Sequence, residues 1–259
     1  MGQGEGEGEG GSEDTAADWR YSAGSPTSSN TSTRGVGPST RGVGLVVLDC
    51  DGVLIDSERL NVAIDAAWIS ALGWPITVAE VIDRHMGRSS ADQIADVEAQ
   101  LGRAITDDEA ADWQRRYAAA YRDELAPIPG VTGALEDLVR QGFSMCVASS
   151  ASHAALRRNL GHCDLLRFFG EGTIFSSEDV ERGKPAPDLF LHAAATMGVA
   201  PDRCVVVEDS QHGVAAARAA GMPVIGYAGG ITPAAMLAGA DRIITDLAQL
   251  PELVATGWR

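Results

Sequence analysis

The chain has 259 residues, enough for one large domain or for a core domain carrying a smaller insert. A formal net charge of −16 argues against nucleic acid as a partner, because a phosphate backbone needs a basic face. No apolar run reaches the roughly 18 residues of a membrane span, and no charged-then-apolar signal segment opens the sequence, so no membrane partner is expected.

Charge does not exclude an anionic small molecule, which responds to local groups only. Cys50, Cys146, Cys163 and Cys204 form no CxxC pair and no metal-finger spacing. Reduced thiols and a cytoplasmic location are the expectation. Lys184 is the only lysine; every other basic residue is Arg or His.

Residues 1–42 are rich in Gly, Ser, Thr and Glu, with a GEGEGEGG run. They cannot bury enough apolar surface to offset the entropy of ordering, and a disordered tail outside the fold is expected. Next comes LVVLDCDGVLIDSE, Leu45 to Glu58. Its short apolar run fits a strand buried on both faces, as in a parallel sheet. The run ends abruptly in Asp49-Cys50-Asp51-Gly52. Ligands of open α/β sheets bind just beyond such strand ends.

Apolar residues then recur at helical spacing from Ser57 to Leu72, with Gly73 as the stop. Two capping boxes follow, Thr77 with Glu80 and Thr106 with Glu109, and Ser90 to Leu101 again has helical spacing. Residues 59–128 therefore read as a helical insert after the first strand, with Pro127-Ile128-Pro129-Gly130 at its exit.

From Gly130 strands and helices alternate. A helix over Val131 to Gln141 precedes a strand over Phe143 to Ala148 and a helix from about Ser152 to Leu160. A short apolar piece, Thr173 to Phe175, follows. Pro187 suits the first turn of a helix running to Met197. Strands are expected at Cys204 to Val207, Val224 to Tyr227 and Arg242 to Thr245, with an Ala-rich helix ending at Gly221. This alternation predicts an α/β protein with a doubly wound parallel sheet. Its core would comprise 43–58 and 129–259.

Strand after strand ends in a functional group: the first in Asp49 and Asp51, the second in Ser149-Ser150, a later one in Glu208-Asp209-Ser210. Parallel strands bring those ends to one edge. Lys184, in RGKPAPD before a helix, is within reach of it. Singly, each has a plain reading, an N-cap serine or a solvated acidic turn; together they point to phosphoryl transfer. Two carboxylates about 4 Å apart repel by about 4 kcal/mol at an effective dielectric of about 20. A hard divalent cation such as Mg²⁺ among Asp49, Glu208 and Asp209 relieves that and bridges to phosphate oxygens. Lys184 and the Ser149 hydroxyl supply a positive charge and a donor. One Asp acts as nucleophile, and Asp51 protonates the leaving alkoxide and later activates water. An EF-hand reading of DxDG fails, because such a loop needs Gly at its sixth position and Glu at its twelfth.

These motifs resemble those of the haloacid dehalogenase superfamily of phosphohydrolases, over about residues 43–256. DCDGVLIDSE is similar to the first motif, Ser149 in VASSAS to the second, Lys184 in GKPAPD to the third and Glu208-Asp209 in VEDSQHG to the fourth. The resemblance implies Asp49 as nucleophile and Asp51 as general acid/base. It also implies Mg²⁺ held by Asp49, the Asp51 backbone carbonyl and Asp209, with Glu208 nearby, and phosphate held by Ser149, Ser150 and Lys184. The insert resembles the family's α-helical cap, which closes over the site.

Within the superfamily, Asp51 counts against a dehalogenase, and the absence of a cap lysine counts against phosphonate cleavage. SSAS, KPAPDLF and GVAP resemble the subgroup of β-phosphoglucomutase and related sugar-phosphate phosphatases; LAQLPELVATGW resembles the C-terminus of 6-phosphogluconate phosphatases. Asn61 stands where the mutases carry a His, and Ser90 where they carry a cap Arg, which favours hydrolysis. His85, Arg88 and Ser89 are the candidate substrate contacts. The expected enzyme is a Mg²⁺-dependent phosphatase of a small phosphorylated metabolite, a sugar or sugar acid phosphate, acting as a monomer or small homo-oligomer. The alternatives are a hexose-phosphate mutase and a catalytically silent binding protein on the same fold.

Overall fold

A computed structural model describes residues 42–86 and 90–256. The expected tail and two candidate contacts, Arg88 and Ser89, lie outside the described residues. Six parallel strands form one sheet in the order β3-β2-β1-β4-β5-β6. They are β1 (Leu45–Leu48), β2 (Ser144–Ser149), β3 (Ile174–Ser176), β4 (Cys204–Glu208), β5 (Val224–Tyr227) and β6 (Arg242–Ile244). β1 is therefore central, paired with β2 on one side and β4 on the other.

Side chains alternate across a strand, and β1 shows the result. Val46 and Leu48 join one apolar cluster, with Leu135, Leu138, Leu156, Leu160 and Val254. Leu45 and Val47 join a second, with Leu189, Phe190, Ala193, Val214 and Ala217. So α5 (Val131–Arg140), α6 (His153–His162) and α9 (Leu250–Thr256) cover one face, and α7 (Asp188–Thr196) and α8 (Gln211–Ala219) the other. A continuous apolar strand is thus explained by burial on both faces.

Between β1 and α5 lie α1 (Ser57–Ala71), α2 (Val78–His85), α3 (Ser90–Leu101) and α4 (Asp107–Asp123). Both expected capping boxes form, at Thr77 and Thr106. These helices share a third cluster, in which Trp68 and Trp113 stack with centroids 5.0 Å apart. Inside it Asp65 accepts hydrogen bonds from Gln93 Nε2 at 2.7 Å, Trp113 Nε1 at 2.8 Å and the Tyr117 hydroxyl at 2.8 Å. That carboxylate ties α1 to α3 and α4. The boundary with the sheet is not sharp: Leu60 and Leu125 pack in the cluster beneath the sheet.

Candidate active site

The Asp49 N–H donates to the Val207 carbonyl at 3.0 Å, carrying the ladder one residue past the end of β1. The chain then turns tightly. The Cys50 carbonyl accepts from the N–H groups of Leu54 at 2.8 Å and Ile55 at 3.1 Å, and Gly52 N–H donates to Ile55 O at 2.9 Å. Gly52 takes φ +76, and a Cβ there would stand 2.0 Å from Asp209 Oδ2. Only glycine meets both conditions. Asp51 follows β1 by three residues, and its Oδ1 accepts from the Ser57 hydroxyl at 2.6 Å, at the start of α1.

From the loop before α7, Lys184 reaches in. Its Nζ donates to Asp49 Oδ1 and to Glu208 Oε1, both at 2.6 Å, with only 5% of its side chain exposed. The ammonium also lies 4.9 Å from the centroid of the Phe190 ring. Glu208, at the end of β4, is held on its other oxygen, Oε2, by the Ser210 N–H at 2.8 Å and the Ser210 hydroxyl at 2.9 Å. Gly213 leaves room for it: a Cβ there would stand 1.7 Å from Glu208 Oε1. Asp209 Oδ2 accepts from the Thr232 hydroxyl at 3.3 Å.

One oxygen from each of Asp49, Glu208 and Asp209 lies within 4.8 Å of the others, and all three residues are buried. Burial pushes Asp49 up to about 8, against the pull of Lys184. It also lifts Asp51, against the hydrogen bond from Ser57, and Asp209 well above the usual carboxylate range. Burial works against the Lys184 ammonium, yet Asp49 and Glu208 outweigh it and raise the group above its ordinary value. One ammonium shared among several carboxylates gains from all of them, while each acid remains short of positive charge. An all-oxygen donor set with a deficit of positive charge fits a hard divalent cation.

The serines come to the same edge. Val147 pairs with Leu48, so Ser149 stands one residue beyond the level of Asp49 on the adjacent strand. It is 1% exposed, and its hydroxyl accepts from the Ala151 N–H at 3.2 Å. The Ser150 carbonyl accepts from the Ser177 hydroxyl at 2.7 Å.

His85 is placed differently. Its side chain is 2% exposed, turned into the helical layer, with Nε2 2.9 Å from Asp96 Oδ2 and the Trp74 ring edge-on at 6.3 Å. Asn61, on α1, accepts from the Tyr121 hydroxyl at 2.9 Å. Sequence reading missed Ser57, Thr232 and Gly213. Ser57 follows the acidic loop closely enough to have been noticed; Thr232, 23 residues past Asp209, gave no signal.

A six-stranded parallel sheet with buried acids and an ammonium at its carboxyl edge is an α/β architecture suited to handling a phosphoryl group. The family model for haloacid dehalogenase-like hydrolases matches residues 46–227, and the chain belongs to that family. The 6-phosphogluconate phosphatase of Escherichia coli K12 is 30% identical over 215 residues, 82% of this chain and 96% of that protein. A conserved haloacid dehalogenase-like protein of Agrobacterium tumefaciens superposes with TM-score 0.75 at 35% identity, covering 83% of this chain and 99% of that one. A haloacid dehalogenase family hydrolase of Deinococcus radiodurans, solved with bound phosphate and sodium, gives TM-score 0.73 at 30% identity, over 82% of this chain and 94% of its own. Among the described residues no helix is long and apolar enough to cross a membrane.

Proposed function

We propose that the protein hydrolyses a small phosphomonoester, a sugar or sugar acid phosphate, through an aspartyl-phosphate on Asp49 with Mg²⁺ as cofactor. The observation that carries this reading is the Lys184 ammonium bridging Asp49 and Glu208 at 2.6 Å each, 135 and 24 residues away in sequence. An ammonium fixed against the nucleophile is placed to take phosphate oxygens as they arrive. The similarity to a 6-phosphogluconate phosphatase supports the substrate class.

Mg²⁺ held by Asp49, Asp209 and the Asp51 carbonyl, with Glu208 beside them, would supply charge to offset the phosphoryl oxygens. Lys184 and the Ser149 and Ser150 groups orient those oxygens. A carboxylate oxygen of Asp49 forms the new bond to phosphorus as the bond to the substrate oxygen breaks. Asp51, hydrogen-bonded by the Ser57 hydroxyl, is the acid that gives a proton to the departing alkoxide. Now ionised, Asp51 takes a proton from water. The water oxygen attacks phosphorus, the bond to Asp49 breaks, and inorganic phosphate leaves. Ser57 holds Asp51 for both transfers.

The helical layer acts as a cap that excludes bulk water; Ile231, from the loop after β5, packs against its apolar cluster. Asn61 cannot shuttle a proton as a histidine does, which supports hydrolysis over isomerisation. The cysteines are all free and buried, in keeping with a reducing compartment.

Release of phosphate from p-nitrophenyl phosphate and a panel of sugar phosphates, with and without Mg²⁺, tests the reading. Asp49→Asn should lower turnover by about four orders of magnitude or more with an unchanged circular dichroism spectrum. Substantial turnover in that variant sinks the covalent mechanism. Isomerisation of β-glucose 1-phosphate without free phosphate would make the enzyme a mutase.

A further inference from the structure

Thr232 is 6% exposed, and its hydroxyl meets a carboxylate of the acid cluster. It lies on the loop between β5 and β6. Most buried hydroxyls satisfy themselves on backbone; this one donates to Asp209 Oδ2 at 3.3 Å. The same hydroxyl oxygen lies 3.9 Å from the thioether sulfur of Met86, which follows the last residue of α2. Its neighbour Ile231 packs against the apolar cluster of the helical layer, whose members include Trp68 and Val81.

The loop is set close to the acidic turn at its root. A Cβ on Gly230 would find the Gly52 carbonyl at 3.9 Å, and one on Gly229 would collide with the Thr245 carbonyl at 2.3 Å. Asp209 Oδ2 thus lies close both to the bare Cα of Gly52 and to the Thr232 hydroxyl. Two adjacent residues, Ile231 and Thr232, face two different bodies: one the helical layer, the other the acid cluster.

We propose that this loop is a positioning element, in which Thr232 orients Asp209 for the cation and Ile231 makes that orientation depend on the helical layer being seated. The proposal rests on the reading of Asp209 as a Mg²⁺ ligand. A ligand carboxylate free to rotate binds a cation less well, because ordering it costs entropy at the moment of binding; a hydroxyl that holds it in place removes that cost. Linkage makes the effect reciprocal: whatever loosens Ile231 weakens Mg²⁺, and Mg²⁺ strengthens the seating of the helices.

Calorimetric titration of the metal-stripped full chain with Mg²⁺ alone tests this without turnover. Thr232→Val, which keeps shape and loses the hydroxyl, should raise the Mg²⁺ Kd about 10-fold. Thr232→Ser, which keeps the hydroxyl, should bind near the wild-type value. Ile231→Ala touches no cation ligand and should still raise Kd about 3-fold. Thr232→Val titrating like wild type, or Thr232→Ser weakened as much as Thr232→Val, overturns the positioning role. An unchanged Kd in Ile231→Ala overturns the dependence on the helices. Should Thr232→Val fail to fold by circular dichroism, Thr232→Ala is read in its place. If the wild-type chain takes up no Mg²⁺, the magnesium reading itself fails, and the role assigned to this loop fails with it.

Discussion

Asp65 in the helical layer and Asp49 at the sheet edge are buried to a similar degree, 5% and 7% exposed, yet they are answered in opposite ways. Asp65 receives three neutral donors, from Gln93, Trp113 and Tyr117, within 2.8 Å. Asp49 shares one ammonium with Glu208 and stands against Asp209 as well. Burial lifts both carboxyls, Asp49 up to about 8. A buried acid kept for structure is surrounded by partners belonging to the fold. A buried acid crowded against two others around a single ammonium is a donor set suited to a cation. Local compensation, more than burial, separates the two.

The largest effect that sharpens the contrast is on Asp65. Asp65→Ala leaves an amide, an indole N–H and a hydroxyl facing an apolar pocket, and should cost about 3 kcal/mol in urea unfolding. A loss of a few tenths would show that those donors find other partners. At the sheet edge the sign reverses. Asp209→Asn removes a charge from a crowded site and should stabilise the metal-free protein by about 1–2 kcal/mol while destroying Mg²⁺ binding. A destabilised variant would break the comparison.

The last effect is a slope with pH. Burial raises the Asp49 carboxyl to about 8 from an ordinary 3.8, and Glu58 to about 7 from 4.5. A folded state with raised acid pKa values holds more protons than the unfolded chain between those limits. Metal-free stability should therefore be greatest at the acid end of this window and fall as pH rises toward about 8. The slope is at most about 1.4 kcal/mol per pH unit for each group. Mg²⁺ should flatten it, and thermal melts from pH 5 to pH 8 with and without the ion read both. A metal-free midpoint that climbs with pH contradicts the assignment.

Most of the α/β core was legible because burial on both faces imposes a simple sequence rule. β5 has the expected limits, Val224–Tyr227, and β1 is the apolar run before Asp49. While β6 starts at the expected Arg242 and stops at Ile244, one edge strand was displaced by a residue: the piece expected at Thr173 to Phe175 is Ile174–Ser176. Only three residues pair there, too few for apolar pattern to fix the register. The terminal helix Leu250–Thr256 was missed because its seven residues are too few to display a period.

At the site, Asp49, Lys184, Glu208 and Asp209 were legible because strand ends in a parallel sheet must converge. Ser149 reaches the same edge by register. His85 was chosen by its nearness in sequence to a loop, and the helix turns it inward onto Asp96. Thr232 and Asp65 escaped notice for one reason. Each is defined by partners 23 to 146 residues away that no local spacing encodes.

The Lys184 bridge also has a consequence for synthesis. Its two acids sit 135 residues before it and 24 residues after it. A ribosome that has delivered the first acid has made a chain with no means of using it. Only when β4 has emerged and taken its place beside β1 do the ammonium and both carboxylates come together. A chain cut short before β4 therefore lacks the bridge, which forms only once residue 208 has been made.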